Sequence, residues 1–167
     1  MDVSDHNLLQ IVDIVRKTSA THCKLILIAG ALGLGKTTIL RRMASELNSP
    51  VVNLSLLLSR RLLGLNSRQR ALHVKQIAMD LIENDRSAAV CIDNTELLFD
   101  PGLQLNPLQF LQEAARNRCI VATWNGSLKN GHLTYSWPGH PEAFDQPANG
   151  FPVVALTTTG VEIHLTA

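Results

Sequence analysis

The sequence has almost no excess of either charge, few cysteines, no long apolar run and no internal repeat, and each shortage removes a class of protein. Fifteen Lys and Arg stand against fourteen Asp and Glu, a formal net charge of +1. Without a global basic field, contact with nucleic acid has to come from a local cluster and is expected to be weak. The cysteines number three, Cys23, Cys91 and Cys119. An odd count, with each thiol in or beside an apolar run, argues against a disulfide framework and for a reduced, cytoplasmic setting. The thiols also lack the close paired spacing of a zinc site and read as small buried hydrophobes. The longest apolar stretch, over 25–34, is too short for a bilayer span and is broken by glycines. The first residues, MDVSDHN, are acidic and polar where a secretory leader is basic and then apolar.

What is present fits one domain over residues 1–167, since 46% hydrophobic residues suffice for a single buried core. Apolar residues at near-helical spacing from Leu8 to Val15 predict a leading helix within 1–20, with Ser4 or Asp5 as its N-cap. Continuous apolar runs predict buried strands over 24–29, 51–54, 88–93, 119–124 and 151–156, with a short sixth edge strand over 161–165. Helical segments fall between them, over 36–47, from 66 to about 83, and from Asn106-Pro107 to about 117. Residues 126–150 read as a hairpin and loop around an Asn130-Gly131 turn. Strands alternating with helices predict an α/β fold, three-layered, with a mostly parallel five-stranded sheet.

Between the first strand and the helix that follows lies IAGALGLGKT, Ile28 to Thr37. Glycine, four residues, glycine, lysine, threonine, set after a strand and before a helix, is the phosphate-binding loop in its required context. Gly30, Gly33 and Gly35 let the backbone curl, so that N–H groups from Gly30 through Ala31, Leu32, Gly33, Leu34 and Gly35 turn inward beside a positive helix end. Lys36 reaches the β- and γ-phosphates, Thr37 ligates magnesium, and Thr38 bonds the α-phosphate. The expected ligands are ATP and Mg2+.

A second metal ligand should close another buried strand, and Asp93 ends AAVCID. One strand lies between the loop and Asp93 in chain order. That spacing suits the NTPase division in which a further strand, here CIVATW, inserts between the two and gives the order 5-1-4-3-2. A polar residue at its tip would orient the attacking water, with Asn125 first in line and Thr123 second. Hydrolysis also needs a water-activating carboxylate. The core resembles the AAA+ ATPases, in which a glutamate commonly follows the metal-binding aspartate, but here Asn94 stands there. The nearest acid, Glu96, either swings to the γ-phosphate or caps a helix. No helical lid carrying an arginine is expected after 151–156. Arg116 and Arg118 are the candidate arginine fingers, with solvated helix-end charges as the alternative.

Longer stretches, CIDNTELLFDPGLQLNPLQFLQEAARNR, ATWNGSL, GHLTYSWPGHPE and NLSLLLSRRLLGLNSRQRAL, resemble the BrxF family of small P-loop proteins from type III BREX, or bacteriophage exclusion, systems. The resemblance implies a cytoplasmic anti-phage protein working beside a large ATPase, a DNA methyltransferase and a phosphatase-like protein. It places Gly30, Gly35, Lys36 and Thr37 in the nucleotide motif and Asp93, Asn94 and Glu96 in the acidic one, and leaves TWNG and GHPE without assigned chemistry.

Three functions are compatible with these residues. The chain is an ATPase or ATP switch subunit, a small-molecule kinase of the same fold, or a module whose nucleotide is structural. In the last, the basic stretch Arg60, Arg61, Arg68 and Arg70 docks DNA or a protein, against the plainer reading of a solvated helical face. His140 and Glu142 offer an acid-base or metal pair against a rigid loop. Trp124, Tyr135 and Trp137 offer base stacking against core packing. Self-association is open.

Overall fold

A computed structural model describes residues 5–18, 24–84 and 86–165, with side chains in the first helix described from Leu8 to Lys17. The expected cap at Ser4 or Asp5 and the third cysteine, Cys23, fall outside the described side chains. In chain order the elements are α1 (Asp5–Thr18), β1 (Leu25–Ala29), α2 (Lys36–Glu46), β2 (Val51–Asn53), α3 (Leu54–Leu62), α4 (Ser67–Glu83) and β3 (Ala89–Asp93). Two 3₁₀ turns, Glu96–Phe99 and Pro101–Leu103, lead to α5 (Pro107–Ala114) and β4 (Cys119–Trp124). β5 (Gly126–Lys129), β6 (His132–Tyr135), β7 (Phe144–Pro147), β8 (Pro152–Leu156) and β9 (Val161–Leu165) complete the chain.

The fold is α/β around a mostly parallel sheet of order β2-β3-β4-β1-β8-β9. It departs from the expected five strands in count and order, because Val161–Leu165 adds a sixth strand antiparallel to β8 beyond the edge expected. β4 pairs in parallel with both β1 and β3. The inner strands β1, β3 and β4 are buried along their whole length, as strands covered on both faces must be.

Alternation divides each strand between two cores. Leu25, Leu27, Val90, Ile92, Ile120, Ala122 and Trp124 pack under α3, α4 and α5. Ile26, Ile28, Cys91, Cys119 and Val121 pack under α1 and α2 with Ile11, Ile39 and Met43. The two described thiols are buried, as small hydrophobes should be. Burial pushes the Cys91 thiol up to about 11, so it stays protonated at neutral pH. Among the described residues no helix is long and apolar enough to cross a membrane.

Residues 126–150 form more than a hairpin. Asn130 and Gly131, at φ 50 and 76, make the expected tight turn between β5 and β6, and β7 adds a third antiparallel strand. This small sheet is joined to the tip of β4 by close packing at Gly126. A Cβ there would stand 1.7 Å from the Thr134 carbonyl oxygen and 2.8 Å from Trp124 Nε1. Those two atoms are themselves hydrogen-bonded at 3.0 Å.

Gly126→Ala is therefore expected to destabilise the protein by about 3 kcal/mol through overpacking against backbone. Urea unfolding checks it, and an unchanged midpoint would show that the two sheets are not closely joined at this residue.

Candidate functional site

β1 delivers the chain to Gly30, whose N–H donates to the Trp124 carbonyl at 3.1 Å. Gly33 and Gly35 follow at φ 84 and 87, a backbone region open to glycine and strained for other residues. α2 starts at Lys36 with no side-chain cap at Gly35 and no acid in its first turn. Its first N–H groups and its positive dipole end are thus left for an anion. Lys36 is only 6% exposed, and its ammonium donates to the carbonyls of Gly30 at 2.8 Å and Ala31 at 2.7 Å. Burial lowers its pKa, against the charges of Glu96 and Asp93, which raise it.

Asp93 closes β3 and is 8% exposed. Its Oδ1 accepts from Thr123 Oγ1 at 2.9 Å and from the Asn94 N–H at 3.0 Å. No described residue donates to the other carboxylate oxygen. Thr123 is in turn fixed by Thr95, whose hydroxyl donates to the Thr123 carbonyl at 2.8 Å.

Asn94, at the position a glutamate commonly takes in the AAA+ pattern, instead turns the chain. Its φ of 55 is left-handed. Its carbonyl accepts from both the N–H and the hydroxyl of Ser55, at 2.9 and 2.5 Å. Ser55 Oγ also accepts from the Leu97 N–H at 3.1 Å. This bracing aims Glu96, the first residue of the 3₁₀ turn, back toward the tip of β4, where the Asn125 amide donates to its carboxylate. The acid is thus held by an amide and does not cap a helix.

Leu32, Gly33, Gly35, Lys36, Thr37, Asp93, Asn94, Glu96 and Asn125 line one cavity of about 350 Å³. Of the residues singled out in the sequence, Gly30, Ala31, Leu34 and Thr38 belong to the loop or its helix without lining that space. Arg116 and Arg118 are not brought there. They precede β4 at the end of that strand opposite Asn125, and Arg118 donates to the Ile82 carbonyl at 3.2 Å beside Lys24 and Arg86.

The TWNG segment acquires a reading residue by residue. Thr123 holds Asp93, Asn125 holds Glu96, and Gly126 gives way to Thr134. Trp124 meets Phe99 edge-on at 4.9 Å, while Phe99 stacks on Tyr135 at 3.8 Å, so the turn that carries Glu96 is clamped between a ring of β4 and a ring of the small sheet. Trp124 and Tyr135 are therefore packing groups, and Trp137 alone of the three is largely exposed. The GHPE segment is a loop in which His140 Nδ1 accepts from the Glu142 N–H at 3.1 Å and the ring meets Trp137 edge-on. No group of three or more metal-ligating side chains occurs among the described residues. Burial, then the charges of Glu142 and Glu96, push the Tyr135 hydroxyl up. Thr95 and Ser55 are the supports the sequence did not flag, since a lone hydroxyl beside an acidic motif carries no periodic signal.

No protein-family model matches the chain, and no curated protein matches it by sequence. Among solved structures, PCH-2 of C. elegans is similar, at 19% identity and a TM-score of 0.43. The match covers 72% of this chain and 36% of PCH-2, so the chain spans about a third of that protein's length.

Thr123→Val keeps the shape and removes the donor to Asp93. We expect it to cost about 2 kcal/mol in urea unfolding, the usual worth of a buried bond to a charged group, and Thr123→Ser to recover most of that. Equal stability of all three proteins would mean that Asp93 is held by the strand alone.

Proposed function

We propose that the chain binds ATP with magnesium in this cavity and hydrolyses it slowly, acting as a nucleotide-dependent subunit of a larger assembly. The observation that carries the reading is the convergence, in one cavity, of an uncapped helix start, a buried lysine, two carboxylates and an amide. The lysine and the helix start attract phosphate oxygens. Binding requires Lys36 to exchange the Gly30 and Ala31 carbonyls for the β- and γ-phosphates.

The donor set fits magnesium, a hard cation that takes oxygen ligands and keeps several waters. Thr37 offers a hydroxyl and Asp93 the carboxylate oxygen that no described protein group uses. When bound, the ion would offset charge on the β- and γ-phosphates. Thr123 holds Asp93 in place to face it.

For hydrolysis, a water oxygen attacks the γ-phosphorus and its proton passes to Glu96. The bond from phosphorus to the β,γ-bridging oxygen breaks, and ADP and phosphate leave. Asn125, touching Glu96, keeps the carboxylate at the cavity wall and offers its amide to the water. The bond it already makes to Glu96 must loosen for the base to reach inward, which suits a slow enzyme or a switch that a partner completes. Partners from a BREX defence system, a large ATPase, a DNA methyltransferase and a phosphatase-like protein, belong to this reading through the resemblance of the sequence to the BrxF family.

Calorimetry with magnesium and ATP should show binding by the wild type and none by Lys36→Ala; absence of wild-type binding to any purine nucleotide would end the reading. Glu96→Gln should retain ATP affinity while phosphate release falls about 100-fold, the usual contribution of a positioned base. Equal release rates would remove Glu96 from the mechanism. A turnover per chain that rises with protein concentration would show a site completed between subunits.

A further inference from the structure

Residues 47–79 contain Arg60, Arg61, Arg68, Arg70 and Lys75 and not one Asp or Glu. Every other part of the chain together holds ten Lys and Arg against fourteen Asp and Glu. The near-neutral total thus conceals a molecule with one basic face, formed by α3 and α4. Surfaces ordinarily intersperse both signs, and a field of one sign over α3 and the greater part of α4, before Asp80 and Glu83, is the footprint of a polyanion site.

The corner between the helices concentrates that charge. Arg60 and Arg61 occupy the last turn of α3 and Arg68 the first turn of α4. All three are exposed and have no ion-pair partner among the described residues. Arg70 instead fixes the corner, donating through Nε to the carbonyls of Leu62 at 3.1 Å and Leu65 at 2.9 Å. Asn66 and Gln69 close the capping box that starts α4. The arginines therefore project from a preset frame and not from a loose loop, which lowers the ordering cost of binding.

We infer that the α3–α4 corner binds the phosphate backbone of duplex nucleic acid through Arg60, Arg61 and Arg68. The guanidinium fork matches phosphate oxygens in pairs. Residues 47–79 contain no Phe, Tyr or Trp, so the face has no stacking platform for unpaired bases, and a duplex is the form it suits. Leu63 and Leu72 are exposed on the same corner and would suit an acidic amphipathic protein segment. The absence of carboxylates from residues 47–79, which include all of α3 and α4 as far as Met79, favours the polyanion. The face is also tied to the cavity. Ser55, in the first turn of α3, is bonded to Asn94 and Leu97, so a ligand on α3 bears on the turn that carries Glu96.

The test is fluorescence anisotropy of a labelled mixed-sequence duplex with the full chain, titrated at several salt concentrations without nucleotide. Binding at low salt is expected, with a slope of log affinity on log salt of about −3, as for release of about three counterions. The triple variant Arg60→Glu, Arg61→Glu, Arg68→Glu should lose at least tenfold in affinity and most of that slope. Arg16→Glu, Arg41→Glu, Lys129→Glu, with the same change in net charge on other exposed positions, should lose far less. Lys36→Ala should bind duplex like the wild type, which separates this inference from the nucleotide reading. No duplex binding at low salt, equal loss in both triple variants, or binding of polyglutamate in place of the duplex would overturn it.

Discussion

The site depends on β4 lying hydrogen-bonded between β1 and β3. Parallel pairing on both sides sets Ile28 beside Thr123 and Ile92 beside Ala122. The loop after β1, the carboxylate ending β3 and the polar tip of β4 then emerge side by side from one edge of the sheet, where open α/β sheets place their ligands. Had β3 paired directly with β1, Asp93 would stand beside the glycine loop and neither Thr123 nor Asn125 would separate them. Burial of all three strands on both faces leaves little freedom to slip, since a shift of one residue would send Leu27 and Ile28 to the wrong cores.

From that edge the support runs outward in two directions. Toward the small sheet, Trp124 Nε1 donates to the Thr134 carbonyl, and the rings of Phe99, Trp124, Tyr135 and Phe144 close around the turn that carries Glu96. Toward the helices, Ser55 holds Asn94 and Leu97. Glu96 is thus positioned from both sides by groups that do not line the cavity. The 3₁₀ turn has only four residues and little hydrogen bonding of its own, so this external support decides where the carboxylate points.

Much of this was legible in the sequence where one physical cause acts alone. The runs from Leu25, Ala89 and Cys119 are apolar because both faces are covered, and Asn130-Gly131 turns because both residues tolerate positive φ. β7 was hidden because Phe144–Pro147 alternates half-buried and exposed residues, ends in proline and has no apolar run. Only its pairing with β6 makes it a strand. The sequence of β9 predicts a short edge strand, and its antiparallel pairing with β8 extends the sheet past the five strands expected. The contact between Glu96 and Asn125 was likewise out of reach. It follows from the left-handed backbone at Asn94, and no spacing rule signals that an asparagine will turn the chain there.

Charge inside the cavity constrains what it can admit. Lys36 brings one positive charge, partly destabilised by burial, while Asp93 and Glu96 bring two negative ones. A bare triphosphate entering this space would meet an excess of its own sign, which the helix end offsets by only about half a charge. Triphosphate with a divalent cation changes that balance. On the proposed reading Asp93 and Thr37 would hold the ion, which would make the nearer carboxylate a ligand and no longer a repulsive neighbour. Glu96 keeps its amide partner Asn125 at the cavity wall. On the proposed reading, the same carboxylates would make the cavity favour the metal complex over the free anion.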